Sequence, residues 1–259
     1  MSGFLFNEMI FGPVRSRRLG NSLGINLLPT NHKNCTFNCI YCECGWTTKE
    51  EDNKRSLPTR NEISEALETK LIQLQAKSNF PDSITFAGNG EPTIHPEFAG
   101  IVDDTIALRN KYFPNSEITV LSNSSMIDNA DVFNALMKVD NNILKLDAGT
   151  EKTFRLINNP RSKSLTLEKI VGNLRKFRQK PIIQTLFVRG EVNGQRVDNT
   201  TEKEIEAWLG HINAIRPRYV MIYPVDRETP APGLEIIPKE ELFEIAEKLK
   251  QIRVKSSVY

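Results

Sequence analysis

Three cysteines stand close together near residue 40. Cys35, Cys39 and Cys42 form a C-x3-C-x2-C pattern. Thiolates at this spacing can converge on one inorganic centre, and an iron–sulfur cube of four irons takes four outside ligands, usually Cys thiolates. Three protein ligands therefore leave one iron open. An open metal position is what distinguishes a reactive centre from a purely structural one.

Other uses of these cysteines have to be weighed. A structural zinc site usually carries two pairs of Cys or His ligands, and Cys44 could complete a set of four. However, only one residue separates Cys44 from Cys42, which is an awkward spacing for one tetrahedral ion. The histidines are scattered, and lone histidines are more often structural; they are His32, His95 and His211. The pattern favours a three-cysteine iron–sulfur site with Cys44 as an additional thiol nearby.

The cysteine loop resembles the cluster loop of the radical S-adenosylmethionine (radical SAM) superfamily, including Tyr41 directly before the last cysteine. The resemblance implies that S-adenosylmethionine chelates the open iron of a [4Fe–4S] cluster. An electron from the reduced cluster then splits the sulfonium, giving methionine and a 5′-deoxyadenosyl radical that abstracts hydrogen from a substrate. The cofactor supplies this chemistry, and the protein binds and orients it.

The composition is that of an ordinary globular protein. The chain has 259 residues, of which 39% are hydrophobic and 25% charged, and this fits one sizeable domain. A net charge of +2 argues neither for nor against a nucleic-acid partner. No apolar run approaches the roughly 18 residues of a membrane span, and no signal peptide is recognisable. We therefore expect a cytoplasmic protein with reduced cysteines and no membrane partner.

Strand and helix patterns alternate along the chain. The predicted strands span residues 23–28, 83–87, 118–122, 142–147, 182–187 and 219–223. Helical patterns follow them near residues 59–74, 98–106, 132–137, 167–178, 201–215 and 242–249. Two of these helices begin with a capping-box pattern, Thr59 with Glu62 and Thr201 with Glu204. Such alternation implies a parallel sheet with right-handed crossovers.

Open sheets and barrels both fit this alternation, and the resemblance decides between them. Radical SAM enzymes usually fold as an α/β partial (β/α)6 TIM barrel of six parallel strands with outer helices. We therefore expect a single domain over residues 1–259, with an N-terminal extension (1–21), a core (22–237) and a C-terminal helix (238–255). Sites in such folds lie at the carboxyl ends of the strands, which is where the cysteine loop stands.

A second candidate site follows the second predicted strand. Two glycines at a strand end let the backbone pass close to a ligand, although an ordinary βα turn has the same appearance. The segment resembles the superfamily's Gly-Gly-Glu motif, which implies that it holds the amino group of the methionine moiety. The residues assigned to it are Gly88, Asn89, Gly90, Glu91 and Pro92.

Polar residues interrupt the apolar strands, and buried polar groups need partners. Lys145 and Asp147 alternate on one strand and so share a face. This fits either an interior ion pair or the cradle for the ribose and carboxylate of S-adenosylmethionine that the resemblance implies. The strand residues assigned to this cradle are Ser122, Asn123, Lys145, Asp147, Gln184 and Tyr223.

Arginines near the expected barrel rim are candidates for substrate binding. Arg17 and Arg18, together with Arg15, precede the first predicted strand. They form either a solvated basic segment or a clamp for an anionic group. Arg189 and Arg227 follow the fifth and sixth predicted strands and fall on the same rim.

Beyond the cysteines, the chain resembles the wybutosine-synthase-like branch of the superfamily. The segments that carry this resemblance are 11–13, 16–20, 22–26, 88–93 and 145–149. Members of that branch build the tricyclic base of a tRNA guanosine from pyruvate, and they carry a second cluster on additional cysteines. Only Cys44 remains here, so the second-cluster chemistry is not carried over. The substrate is left unassigned, with tRNA as one candidate.

Three other functions compete with this one. Glycyl-radical activases and the ring-contracting enzymes of deazaguanine synthesis have one cluster and a similar length, but they resemble residues 17–20 less. A non-catalytic iron–sulfur protein for electron transfer or sensing would not need S-adenosylmethionine, and residues 88–91 argue against it. An enzyme of this family also implies an electron donor such as flavodoxin or ferredoxin.

Overall fold

Strands and helices alternate through most of the chain. The computed structural model describes residues 3–47, 57–177 and 180–259. The strands are β1 (Ile10–Ser16), β2 (Gly20–Ile25), β3 (Ser83–Phe86), β4 (Glu117–Ser122), β5 (Asn141–Lys145), β6 (Ile182–Phe187), β7 (Arg189–Val192), β8 (Gln195–Asp198), β9 (Tyr219–Pro224), β10 (Leu234–Glu235) and β11 (Ser256–Val258). The helices are α1 (Arg60–Ala76), α2 (Phe98–Tyr112), α3 (Ala130–Leu136), α4 (Glu151–Asn158), α5 (Leu167–Leu174), α6 (Glu202–Ile215) and α7 (Lys239–Gln251).

Six parallel strands form the centre of the main sheet. Its order is β1-β2-β3-β4-β5-β6-β9-β11, and neighbouring strands from β2 to β9 run parallel. These are the six strands that the sequence predicts. The helices pack on one face of the sheet, where Leu67 of α1 and Ile101 of α2 join the same buried core as Ile84 of β3. The α/β partial barrel is thereby confirmed.

Alternation along the strands gives the sheet two different faces. Leu144 and Ile183 belong to the large core between sheet and helices. A separate small cluster consists of Ile143, Ile182 and Met221. Successive strand residues point to opposite faces, so this small cluster lies inside the barrel. The residues two positions further along the same strands are Lys145, Gln184 and Tyr223. They therefore also face the interior, nearer the carboxyl ends of the strands.

The structure adds elements that the sequence does not predict. Strand β1 lies in the segment taken as an extension and pairs antiparallel with β2, while β11 adds a parallel strand beside β9. Strands β10, β7 and β8 form a small separate sheet, and α4 precedes α5. Helix α5 ends at Leu174, and its predicted end at Arg178 lies outside the described residues. Within the part of the chain described, no helix is both long and apolar enough to cross a membrane.

The two predicted capping boxes have different outcomes. At α1, Thr59 N donates to the Glu62 carboxylate at 2.7 Å and Thr59 Oγ1 accepts from Glu62 N at 3.3 Å, which confirms the box. At α6, the side chain of Thr201 caps the helix as expected. The Glu204 carboxylate instead accepts from the loop after β5, including Thr150 N at 3.1 Å. The capping box predicted for Thr201 and Glu204 is wrong, because the Glu204 carboxylate accepts hydrogen bonds from this loop and not from Thr201 N.

Replacing Glu204 by Ala is expected to lower the free energy of unfolding by about 1–3 kcal/mol, since the loop's N–H groups lose their acceptor. These are Gly149 N at 3.0 Å and Thr150 N at 3.1 Å from the carboxylate. Urea unfolding measures the loss. Glu202, exposed in the same helical turn, is the matched control, and Glu202→Ala should stay within about 0.5 kcal/mol. Equal losses in the two variants would contradict this role of Glu204.

Candidate active site

The cysteine loop runs between β2 and α1 and is held by backbone hydrogen bonds on both sides. On one side, Asn34 N donates to Asn89 O at 2.9 Å. On the other, Asn38 N donates to Asn159 O at 3.0 Å, just beyond the end of α4. Ile40 N also donates to a carbonyl of α4, at 3.0 Å. The positions of the cysteines are thus set by the loop after β3 and the carboxyl end of α4, and not by the cysteine segment alone.

The thiols face N–H donors. Cys35 and Cys39 are buried and Cys42 is half-buried. The side-chain amide of Asn123 donates to Cys35 Sγ at 3.5 Å, and that of Asn158 donates to Cys39 Sγ at 3.5 Å. Hydrogen bonds of this kind stabilise negative charge on sulfur and tune iron–sulfur centres.

A buried cation stands beside the same thiols. Lys33 is 2% exposed, and its ammonium donates to Gly45 O at 3.0 Å. Burial lowers the pKa of Lys33, but the negative charge of Cys42, Cys35 and Cys39 outweighs it and raises the pKa overall. The raised pKa favours the protonated ammonium beside the three sulfurs.

Burial raises the pKa of Cys35 to about 12 and also raises that of Cys39. A hydrogen bond from Cys44 lowers the pKa of Cys42. Because iron binds the thiolate, loading the site must release protons from the buried pair. In the described residues no three His, Cys, Asp or Glu side chains are placed to hold a single metal ion. Two of the three thiols accept hydrogen bonds from side-chain amides and an ammonium lies beside them, and this set of groups fits an anionic sulfur cluster.

The glycines after β3 bring two backbones together. A Cβ atom on Gly90 would lie 1.7 Å from Asn34 O, and one on Gly88 would lie 2.3 Å from Asn26 Oδ1. Gly90 has a φ of +141°, which also favours glycine. The expected close approach is therefore present, and its partner in this structure is the cysteine loop. Contact with a methionine moiety stays a prediction.

Asn89 and Glu91 are occupied by the protein itself. Asn89 is completely buried; its side-chain amide donates to Phe6 O at 2.8 Å and accepts from Phe6 N at 2.8 Å. The Glu91 carboxylate accepts from Asn123 N at 2.6 Å and from Thr93 Oγ1 at 2.5 Å. Burial raises the pKa of Glu91. These two residues tie the N-terminal segment and the loop after β4 to the turn.

The remaining residues of the turn and of the β4 loop are also buried. Pro92 begins a short 3-10 turn, Pro92–Ile94. Ser122 Oγ accepts from Ser124 N at 3.1 Å. The side-chain amide of Asn123 donates to Thr36 Oγ1 at 2.8 Å in addition to its contact with Cys35. The β4 loop therefore touches the cysteine loop directly.

Asp147 is the centre of a buried polar cluster. Its side chain accepts hydrogen bonds from Tyr41 Oη, from Asn158 Nδ2 at 2.7 Å and from Leu186 N at 2.9 Å. The Lys145 ammonium lies 3.6 Å from the same carboxylate. Burial lowers the pKa of Lys145, but the charge of Asp147, together with Tyr223 and Cys39, outweighs burial and raises the pKa overall. The interior ion pair that the sequence offered as one alternative is thus present.

A cavity of about 340 Å³ continues from this cluster into the barrel. Tyr41, Tyr223 and Arg18 line it. Lys145 Nζ donates to Tyr223 Oη at 3.1 Å, and Arg18 Nη1 donates to Gln184 Oε1 at 3.1 Å. The structure therefore brings the predicted strand residues of β5, β6 and β9 together with one rim arginine.

The other candidate arginines are paired with acids. Arg17 binds Asp226 at 2.6 Å and Arg227 binds Glu43 at 2.8 Å, both at the mouth of the cavity. Arg189 does not join them. Its guanidinium is held by Glu241 at 2.6 Å and by a second acid of β10 at 3.5 Å.

The sequence-based prediction did not include some residues of the site, and it correctly treated two histidines as structural. Lys33 and Asn158 were not singled out, although a lysine two residues before a predicted cysteine ligand is a recognisable charge signal. Phe6 gave no signal, because its place in the cavity depends on the tertiary fold. His95 and His211 are structural, since each ring bonds a backbone carbonyl, at 2.8 and 2.9 Å. The third histidine, His32, has its Nδ1 2.9 Å from Asn31 Oδ1. The additional cysteine, Cys44, donates its thiol hydrogen bond to Gly88 O at 3.6 Å.

Comparisons with known proteins cover most of the chain. The family model of the radical SAM superfamily matches residues 32–203. A UPF0026 protein of Methanocaldococcus jannaschii is 32% identical over 237 residues, which are 88% of this chain and 68% of that protein. A protein of Brachyspira hyodysenteriae named GTPase Obg is 31% identical over 242 residues, which are 92% of this chain and 33% of that protein.

This chain therefore spans about a third of the Brachyspira relative and about two-thirds of the archaeal one. The sequence contains no G-x4-G-K-[ST] phosphate-binding motif.

Among solved structures, that of TYW1 with a lysine–pyruvate adduct bound has a TM-score of 0.58 and 15% identity, over 89% of this chain and 73% of that one. This similarity concerns the fold.

Anaerobic reconstitution should load about four irons and four sulfides per chain. Alanine in place of Cys35, Cys39 or Cys42 should abolish that stoichiometry, because each removes one thiolate ligand. Cys44→Ala is the matched control and should retain it. Iron and sulfide assays with the visible absorption spectrum measure the result. Loss of the cluster in Cys44→Ala alone would contradict the ligand assignment.

Gly90→Ala should displace the cysteine loop, since its Cβ would meet Asn34 O at 1.7 Å. We expect a loss of stability of about 1–3 kcal/mol together with reduced iron retention. Gly172 in α5 is the control, because a Cβ there meets no atom within 4 Å, so Gly172→Ala should be neutral or stabilising. Thermal melting and iron content are the measurements. A Gly90→Ala protein that keeps both would show that the loop yields without cost.

Proposed function

This chain belongs to the radical SAM superfamily and to the UPF0026 proteins, and we propose that it is an enzyme that cleaves S-adenosylmethionine reductively. When bound, a [4Fe–4S] cluster and S-adenosylmethionine supply a 5′-deoxyadenosyl radical that abstracts hydrogen from a substrate. The observation that carries the proposal is the cysteine loop. It brings Cys35, Cys39 and Cys42 to the carboxyl end of the barrel, beside a cavity lined by Tyr41.

The protein's own residues would hold and orient these groups. The three thiolates would bind three irons and leave the fourth iron to S-adenosylmethionine. The amides of Asn123 and Asn158 would donate to the sulfurs they already contact at 3.5 Å. The Lys33 ammonium would offset part of the negative charge of the centre, which favours its reduced state.

Lys145 and Asp147 support the cofactor side of the cavity. The pair keeps a charged, protonated ammonium between the aromatic rings of Tyr41 and Tyr223, at 5.1 and 5.7 Å from their centres. An ammonium in this place can attract a carboxylate, so Lys145 is suited to the cofactor cradle proposed for the strand residues.

The substrate and the partners are proposals that rest on the family. We infer an electron donor of the flavodoxin or ferredoxin type. A tRNA substrate stays a prediction: it would need free basic groups on the rim, because such binding depends on phosphate neutralisation. Arg17 and Arg227 are already paired with acids, which leaves Arg15 as an exposed arginine with no partner among the described residues.

Reduced, iron-loaded protein should convert S-adenosylmethionine to equal amounts of methionine and 5′-deoxyadenosine, even without substrate. Chromatography of anaerobic reactions with dithionite measures both products. Cys39→Ala should form neither, and Cys44→Ala should form both, because only the first removes a cluster ligand. A fully loaded, reduced protein that leaves S-adenosylmethionine intact and unbound would instead favour an electron-transfer or sensor protein.

A further inference from the structure

The cavity has more positive than negative side chains. Four arginines line it: Arg15, Arg17, Arg18 and Arg227. Two acids, Asp226 and Glu43, also line it. Each acid is already bound by one arginine, at 2.6 and 2.8 Å respectively. Both carboxylates are therefore paired at the mouth of the cavity, and neither pairs with the arginine that lies further inside.

Arg18 is that arginine. It is half-buried, and its guanidinium bonds the neutral amide oxygen of Gln184 at 3.1 Å and lies 4.9 Å from the ring centre of Tyr223. In the described residues no carboxylate pairs with it. A guanidinium has five N–H donors in a planar fork that matches a carboxylate or phosphate. Among the described residues only Nη1 has an acceptor, Gln184 Oε1, and the contact with an aromatic ring does not neutralise the charge.

Among the described residues, no acidic side chain forms an ion pair with Arg18. The carboxylate nearest the interior, Asp147, is taken by Lys145, Tyr41 and Asn158. The remaining walls include apolar groups, among them Phe6 stacked on Phe11 with ring centres 3.7 Å apart, and Leu186. Apolar walls lower the local dielectric and strengthen the attraction between Arg18 and an anion.

We propose that Arg18 binds an anionic group, a carboxylate or a phosphate, of a small substrate whose apolar part lies against Phe6, Phe11 and Leu186. The name substrate rests on the proposed function, whereas anion binding by Arg18 does not. Arg18 acts here in binding and specificity, because it holds one end of the molecule at a fixed distance from the cysteine loop.

Three small probes test this proposal: benzoate, phenyl phosphate and neutral benzyl alcohol. Isothermal titration of the iron-loaded protein with S-adenosylmethionine, at constant ionic strength, measures their affinities. At least one anion should bind tenfold or more tightly than the alcohol, about 1.4 kcal/mol. The stronger of the two anions identifies the group as carboxylate or phosphate. Arg18→Gln should remove the preference, and Arg18→Lys should restore part of it by returning the charge.

The double variant Lys138→Gln/Asp103→Asn is the control. It removes one exposed ion pair of 2.7 Å outside the cavity without changing the net charge, so the anion should still bind within about twofold. The cluster spectrum and the melting temperature of each variant show whether it is folded and loaded. A wild-type protein that binds the alcohol as well as the anions, or an Arg18→Gln protein that keeps the preference, would overturn the proposal.

Two further outcomes separate this inference from the proposed function. If the anions bind only when S-adenosylmethionine is left out, Arg18 serves the cofactor's own carboxylate, and the substrate assignment is wrong. If anion binding depends on Arg18 but the protein fails to cleave S-adenosylmethionine, the anion site stands and the proposed function falls.

Discussion

The buried carboxylate of Asp147 is the interaction on which the site depends. It receives hydrogen bonds from the cysteine loop through Tyr41, from α4 through Asn158 and from β6 through Leu186 N. It also balances the Lys145 ammonium at 3.6 Å. An unpaired charge in such a place is costly, and removing one member of a buried ion pair typically costs about 3–5 kcal/mol. The position of the cysteines, the shape of the cavity and the charge of Lys145 are therefore linked through one side chain.

Much of this arrangement could be predicted from the sequence. The apolar periodicity located the six central strands, and the spacing of residues 145 and 147 showed that two charged side chains share a face. The cysteine pattern located the candidate cluster site because ligand spacing is a local property. Strands β7 (Arg189–Val192) and β8 (Gln195–Asp198) consist mainly of polar and charged residues, and β10 has only two residues, so no apolar pattern reveals them. β1 is interrupted by Gly12 and Pro13, and its place in the sheet depends on pairing with β2.

The loop motifs show where sequence reasoning reaches its limit. Two glycines followed by an acid indicated a backbone that passes close to something, and the structure shows that this neighbour is the cysteine loop, with Asn34 O beside Gly90. The Glu91 carboxylate already accepts hydrogen bonds from Thr93 and Asn123. Which atom occupies a close approach depends on tertiary contacts that spacing does not encode. A motif associated with a cofactor here also fixes the geometry of the loop that would carry the cluster.

Three interior cations differ in the groups that they face. The ammonium of Lys33 faces the thiols, that of Lys145 faces Asp147, and the guanidinium of Arg18 contacts Gln184 and pairs with no acidic side chain in the described part of the chain. Contacts of 3.6 Å or less connect Asp147 through Lys145, Tyr223 and Gln184 to Arg18. This chain of contacts fixes the spacing between the cysteine loop and the unpaired guanidinium. Fixed spacing matters for hydrogen abstraction, because the reacting atoms must be held within about 3–3.5 Å in the right orientation. An anion held by Arg18 would therefore position its carrier relative to the cluster side without needing a contact to the cluster itself.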